Sequence, residues 1–206
     1  MKCSLQPERE VRARGFARVA GIDEAGRGPL AGPVVAAAVM LPERFRHKFL
    51  TDSKKLSAER REEIYREVTG HSGIAWSVSI VEVEEIDLIN ILRATHQAMR
   101  RAVAALPEEP DHALIDGLPV RPFPIAQTAL VGGDARSFSI AAASVIAKVT
   151  RDRIMVEMDA RYPGYEFAQH KGYGTALHLA KLRAHGPCPI HRKTFLPVQQ
   201  ALFPFA

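Results

Sequence analysis

The alternation of apolar and polar positions divides the chain into strand-length and helix-length segments. Residues 1–14 are charged and show no sustained period, which predicts a weakly structured arm. Residues 16–23 (FARVAGID) read as a first strand, and residues 32–41 (GPVVAAAVML) form a continuous apolar run suited to a second, well-buried one. Residues 51–56 (TDSKKL) read as a polar loop, and Ser57 is placed to N-cap a helix over AERREEIYREV. Ile74, Trp76, Val78 and Ile80 alternate with Ala75, Ser77 and Ser79, a third strand with one large-residue face. Ile86, Ile89, Leu92, Met99, Val103 and Leu106 fall mostly three or four apart, one stripe on a single helix of about twenty residues. Pro107 and Pro110 end it. Residues 112–116 (HALID) are a short strand stopped by Gly117, and residues 125–131 another. Residues 139–162 read as a long helix with a small-residue start, followed by helices over 175–184 and 195–202.

Three strands with short connections can pair antiparallel, whereas the later strands need crossovers and pair parallel. The expected fold class is therefore α/β: one mixed sheet with helices on both faces and a small helical C-terminal part. The divisions expected are an arm over 1–15, a main domain over 16–165 and a helical extension over 166–206.

Composition narrows the function classes. The 206 residues suit one domain with a full core, and 47% apolar with 25% charged residues is ordinary for a globular chain. No window offers 18 continuous apolar residues, so no membrane span is expected, and the start lacks the apolar segment of a secretory signal. Cys3 and Cys188 lie far apart and form no metal spacing. A cytoplasmic location and a monomer are expected. The net charge of +5 and pI near 9.4 favour a polyanionic partner only mildly.

Four acids change the picture because of where they fall. Asp23 and Glu24 end the first strand, Asp116 ends the HALID strand, and Asp134 opens the long helix just after Gly132–Gly133. Acids at the edge of a core are costly to bury unpaired, and several converging ones repel unless a cation holds them. Oxygen donors of this kind suit Mg²⁺ or Mn²⁺, and two such ions sharing carboxylates suit phosphodiester displacement. Each acid alone is equally read as a cap or a turn residue. Neighbouring strand residues point to opposite faces, so Asp23 and Glu24 share a site only if the strand bends, as Ala25–Gly26 would permit. The segment from Gly21 to Gly28 nearly matches a phosphate-binding loop. However, Arg27 replaces its lysine and Gly28 its Ser/Thr, and two acids inside it would repel a triphosphate. Gly26 and Gly28 instead permit close approach of a ligand to the backbone, with Arg27 meeting a phosphate.

The run Asp23-Glu-Ala-Gly-Arg-Gly-Pro-Leu-Ala-Gly-Pro-Val resembles the ribonuclease HII family. So, in the same order, do Asp52-Ser-Lys-Lys-Leu-Ser, the Asp116-Gly strand end, Gly133-Asp134 with Ala-Ala-Ala-Ser-Val-Ile-Ala-Lys148-Val-Thr-Arg151-Asp152, His170-Lys-Gly-Tyr-Gly-Thr and His191-Arg-Lys-Thr-Phe. The resemblance spans residues 17–197. It implies an RNase H-like catalytic domain over 16–165, with the extension contributing to the substrate site. It also implies an endonuclease that hydrolyses the RNA of RNA–DNA hybrids and cuts 5′ to a ribonucleotide embedded in duplex DNA, leaving 3′-hydroxyl and 5′-phosphate ends. On this likeness Asp23, Glu24, Asp116 and Asp134 hold two Mg²⁺ or Mn²⁺ ions. Gly26, Arg27 and Gly28 read the 2′-hydroxyl, and Tyr173 stacks on the next sugar. Lys54 or Lys55 holds a phosphate. Ser144, Lys148 and Arg151, three or four apart on one helix face, join the substrate-binding set. The alternatives are a ribonuclease HIII-like enzyme, to which Lys in place of Arg27 would point, and a non-catalytic hybrid-binding module. The histidines are expected to be structural. The tail Gln199-Gln-Ala-Leu-Phe-Pro-Phe suggests docking on a sliding clamp.

Overall fold

A computed structural model describes residues 3–202. Five strands, β1 (Val19–Ala25), β2 (Val34–Met40), β3 (Ala75–Val81), β4 (His112–Asp116) and β5 (Ala126–Leu130), form one sheet in the order β3-β2-β1-β4-β5. The pairs β1–β2 and β2–β3 are antiparallel, while β1–β4 and β4–β5 are parallel. This is the mixed sheet expected from connection lengths. Among the described residues, no helix is long and apolar enough to cross a membrane.

The period-two alternation of β2 splits the core into two layers. Val35, Ala37 and Val39 face a layer built by α2 (Ala58–Gly70) and the long α5 (Phe138–Arg161). Val34, Ala36, Ala38 and Met40 face the layer of α4 (Ile91–Ala104), with Ile22, Ala98 and Met99. Each fully buried large side chain here contributes roughly 1.5–3 kcal/mol. Small residues set the spacing: a Cβ at Gly21 would collide with the α5 backbone at Ser139 and Ile140, so the start of α5 lies directly on β1. Ser57 caps α2 by accepting from Arg60 N, as expected.

The structure departs from the sequence reading in several places. The N-terminal segment is not weakly structured: Gln6–Arg12 form helix α1, with Leu5, Glu8 and Val11 buried. The single helix of about twenty residues is two, α3 (Val83–Ile89) and α4, broken at Asn90. Asn90 takes a positive φ of 68° and its side chain caps α4 by accepting from Arg93 N. With ψ of 162° this is not the left-handed helical region that asparagine readily enters but one kept almost entirely to glycine, so the break holds strained backbone. Asp134 does not open α5 but sits in a separate 3₁₀ turn, Gly133–Ala135, while Ser137 caps the helix. A short helix α6 (Phe167–His170), too brief to show a period, precedes α7 (Ala176–His185) and α8 (Leu196–Leu202). The second face of β3 is also covered: Ser77 is buried and donates to Ala102 O on α4 at 2.5 Å.

Candidate active site

Parallel pairing of β1 with β4 sets Ile22 against Ile115, so the next residues along stand side by side: Asp116 ends β4, while Asp23 lies two residues before the end of β1, which runs on to Ala25 rather than stopping at the acids. Asp23 lies opposite Ala37 and shares its face, the α5 side. Asp134 arrives over the same edge from the turn after β5. That turn is held to Asp116, whose Oδ1 accepts from Gly133 N at 2.7 Å and Asp134 N at 3.4 Å. Carboxylate oxygens of Asp23, Asp116 and Asp134 all lie within 4.8 Å of one another. Asp23 is 5% exposed and Asp134 6%.

Burial, then the charges of Glu24 and Asp116, pushes Asp23 well above the usual carboxylate range. Burial, followed by Asp116 and Asp52, pushes Asp134 up to about 6. Burial lowers the proton affinity of Lys54, but Asp23, Asp134, Asp52 and Asp116 together outweigh it and hold the ammonium above its ordinary value. The cluster is thus short of positive charge even with Lys54 beside it. Its donors are all hard oxygens, which fits a divalent ion of the Mg²⁺ or Mn²⁺ kind and does not fit a structural zinc site.

Glu24 is on the other face of β1 from Asp23, although its charge still bears on Asp23 and that of Asp116 on it. It pairs with Ala36, on the α4 face, and β1 continues its ladder through Ala25 without the expected bend. The chain turns only at Gly26, with φ of 100°. The Glu24 carboxylate pairs with Arg27 at 3.2 Å, and burial raises it despite that partner. It lines the same cavity as the glycine loop.

That cavity, of about 180 Å³, is bordered by Glu24, Gly26, Arg27, Gly28, Lys54, Ser144, Lys148 and Tyr173. A larger one of about 480 Å³, beside His47 and His71, contains none of the four acids. Of the residues expected to bind substrate, Lys55 and Arg151 fall outside. Lys55 is exposed, 3.9 Å from Asp52, so of the two lysines it is Lys54 that faces the acids. Arg151 is fully buried and donates to Pro33 O, Lys171 O and Ala31 O at 3.0, 2.9 and 3.0 Å. All three of its guanidinium nitrogens are engaged by the main chain. Its side chain also explains Gly26, where a Cβ would collide with it. Gly28 differs: a Cβ there meets nothing within 4 Å.

Ser144 is buried, shares a 2.8 Å hydrogen bond with Ser53 and faces Asp23. Lys148 pairs with Asp152 at 2.6 Å, and its ammonium lies 5.6 Å from the centre of the Tyr173 ring. Tyr173 is 41% exposed. Sequence reasoning missed three supports. Asp52 caps the turn bearing Lys54 and crowds Asp134. His178 donates from Nδ1 to Tyr173 O at 2.9 Å, and its Nε2 meets His191 Nε2 at 3.0 Å. Burial holds both histidines down near 4, so they stay neutral. Arg192 is fully buried behind the glycine loop. It sits inside the His191-Arg-Lys-Thr-Phe motif, which was the available signal, but no spacing rule gave it a role.

The family model for ribonuclease HII matches residues 20–198. A ribonuclease HII of Geobacter sulfurreducens is 53% identical over 195 residues, covering 95% of this chain and 89% of that protein. Among solved structures, the ribonuclease H2 of Pyrococcus horikoshii superposes with a TM-score of 0.74 at 26% identity, covering 90% of this chain and 97% of the other. The ribonuclease HII in a complex with PCNA from Archaeoglobus fulgidus gives 0.70 at 26% identity, covering 87% and 95%. An RNase H-like sheet with an acidic cluster at the ends of β1 and β4, matched over nearly its whole length by this family, leaves one assignment: the chain belongs to the ribonuclease HII family, metal-dependent hydrolases that act on RNA–DNA hybrids.

Proposed function

We propose that this enzyme cuts on the 5′ side of ribonucleotides, including a single one embedded in duplex DNA, and leaves 3′-hydroxyl and 5′-phosphate ends. The observation that carries the chemistry is the convergence of Asp23, Asp116 and Asp134 within 4.8 Å, with Asp23 and Asp134 held above their ordinary proton affinity. With Glu24 beside them, these residues would hold two Mg²⁺ or Mn²⁺ ions. Such ions, when bound, supply positive charge at the attacking and leaving oxygens of a phosphodiester displacement. The protein's own groups do the rest. Lys54 and Lys148 offer positive charge to phosphates along the cavity, and the exposed face of Tyr173 offers a platform for a sugar. Gly26, Arg27 and Gly28 present backbone to the 2′-hydroxyl, the group that tells RNA from DNA. Gly28 supports that reading because nothing in the chain itself fills the space beside it.

The extension over 166–206 acts as part of the same site, since it supplies Tyr173 and the buried Arg192. We also propose that the C-terminal tail docks on a sliding clamp. The Archaeoglobus relative was solved with PCNA, and the tail here carries glutamines and aromatic residues. Its last residues, 203–206, lie outside the described residues.

The test is a labelled DNA duplex carrying one ribonucleotide, incubated with Mg²⁺ or Mn²⁺, beside an EDTA control and an all-DNA duplex. A single metal-dependent cut 5′ to the ribonucleotide, with the all-DNA duplex untouched, is expected. Cutting of the all-DNA duplex would overturn the substrate reading.

A further inference from the structure

The loop assigned above to ribose recognition is held from behind by a side chain with no part in the proposed chemistry. Arg192 lies between α7 and α8, fully buried. Its guanidinium makes five hydrogen bonds, all to main-chain carbonyls. Nη2 donates to Gly26 O at 2.5 Å, Gly32 O at 2.8 Å and Pro33 O at 3.2 Å, Nη1 to Arg27 O at 3.0 Å, and Nε to Gly32 O at 3.0 Å. The main chain around it joins in: Arg192 N donates to Leu30 O, and Gly32 N donates to the carbonyl of neighbouring Ile190. Arg151 braces Ala31 and Pro33 from the other side, and its charge bears on Arg192. Among the described residues neither guanidinium forms an ion pair with a carboxylate. Two like charges buried together are costly, and apolar residues of similar volume would fill the space more cheaply. What the planar fork gives in return is fixed carbonyl geometry.

In a trans peptide the carbonyl and the following N–H point in opposite directions. Drawing the carbonyls of Gly26 and Arg27 inward therefore turns the amides of Arg27 and Gly28 outward. We propose that Arg192 is a positioning residue for ribonucleotide recognition, setting those amides for the 2′-hydroxyl. The proposal rests on the reading of Gly26–Gly28 as the ribose-recognition loop.

The test compares kcat/KM on two duplexes, one with a single ribonucleotide and one with a 2′-deoxy-2′-fluoro nucleotide at that position. The proteins are wild type, Arg192→Lys, Asp87→Ala and Gly28→Ala. Lysine keeps the charge but cannot span four carbonyls. The preference for ribose in Arg192→Lys should fall about tenfold or more, with Mg²⁺ affinity unchanged, as expected for a small misplacement of a reading group. Asp87 on α3 accepts from Lys193 N, Thr194 N and Thr194 Oγ1 near the surface, so Asp87→Ala loosens the segment after Arg192 and should narrow the preference by a smaller factor. Should Arg192→Lys unfold, Asp87→Ala decides alone. Loss of both activities by the same factor in these variants would make Arg192 merely structural and overturn the proposal. Gly28→Ala separates the two levels, because its methyl group meets nothing in the chain. If it also leaves the preference intact, the loop is not the ribose reader. If it alone abolishes the preference, only the part given to Arg192 is lost.

Discussion

Asp134 shows how a single carboxylate can work against the fold that carries it. In the metal-free protein its folded value of about 6 stands above the ordinary 3.8. Its contribution to stability is therefore full below about 3.8 and is lost as the pH rises through about 6. The variant Asp134→Asn cannot ionise. At pH 8 without metal it should be more stable than wild type by about 3 kcal/mol, roughly 9 °C in Tm, while losing turnover. Thermal melts at pH 5 and pH 8 in EDTA check this, the gap at pH 5 being about half that at pH 8. A variant less stable at pH 8 would mean that Asp134 is not under repulsion. The sequence made the four acids legible as candidates, because an acid directly after an apolar strand is conspicuous. It did not show that Glu24 would face the other side of the sheet, since that depends on whether the ladder bends before or after Ala25.

At the scale of elements, the N-terminal helix is the least expected part. Ser4 brackets the entrance to α5: its N–H donates to Arg136 O and its carbonyl accepts from Phe138 N. Glu8 on α1 then reaches the first turn of α5, where its Oε1 accepts from Ser137 Oγ, Ser139 N and Ser139 Oγ at 2.6, 2.8 and 2.6 Å. A carboxylate at a helix N-terminus is favourable for the helix dipole. Here it also anchors the segment that follows Asp134. Glu8→Ala should cost about 2–4 kcal/mol in urea unfolding, the range for losing buried charged hydrogen bonds, and should weaken Mn²⁺ binding. A change within about 0.5 kcal/mol, the ordinary surface range, would remove that role. The long helices and the β-strands were legible because their periods run for several turns or alternations. Helix α1 was not, since seven residues give too few repeats and its one buried charge, Glu8, reads as solvent-facing. The break at Asn90 was likewise hidden, because the apolar stripe continues across it.

Across the whole molecule, topology places the chemistry. The carboxyl ends of β1 and β4 meet where an antiparallel half of the sheet joins a parallel half, and α5 starts directly over them. The extension closes the other side through Arg192 and Tyr173, and a reading of local periods could not foresee the part of Arg192 because its contacts reach about 160 positions along the chain. In the proposed function, this acidic edge is where metal-dependent cleavage of RNA paired with DNA takes place. The most direct measurement is cleavage of a labelled RNA–DNA hybrid by EDTA-stripped protein as Mg²⁺ is titrated in, wild type beside Asp134→Asn, with hybrid binding followed in parallel. Wild-type cleavage should appear only with metal, and Asp134→Asn should bind the hybrid without cutting it. Cleavage without metal, or full activity in Asp134→Asn, would contradict it.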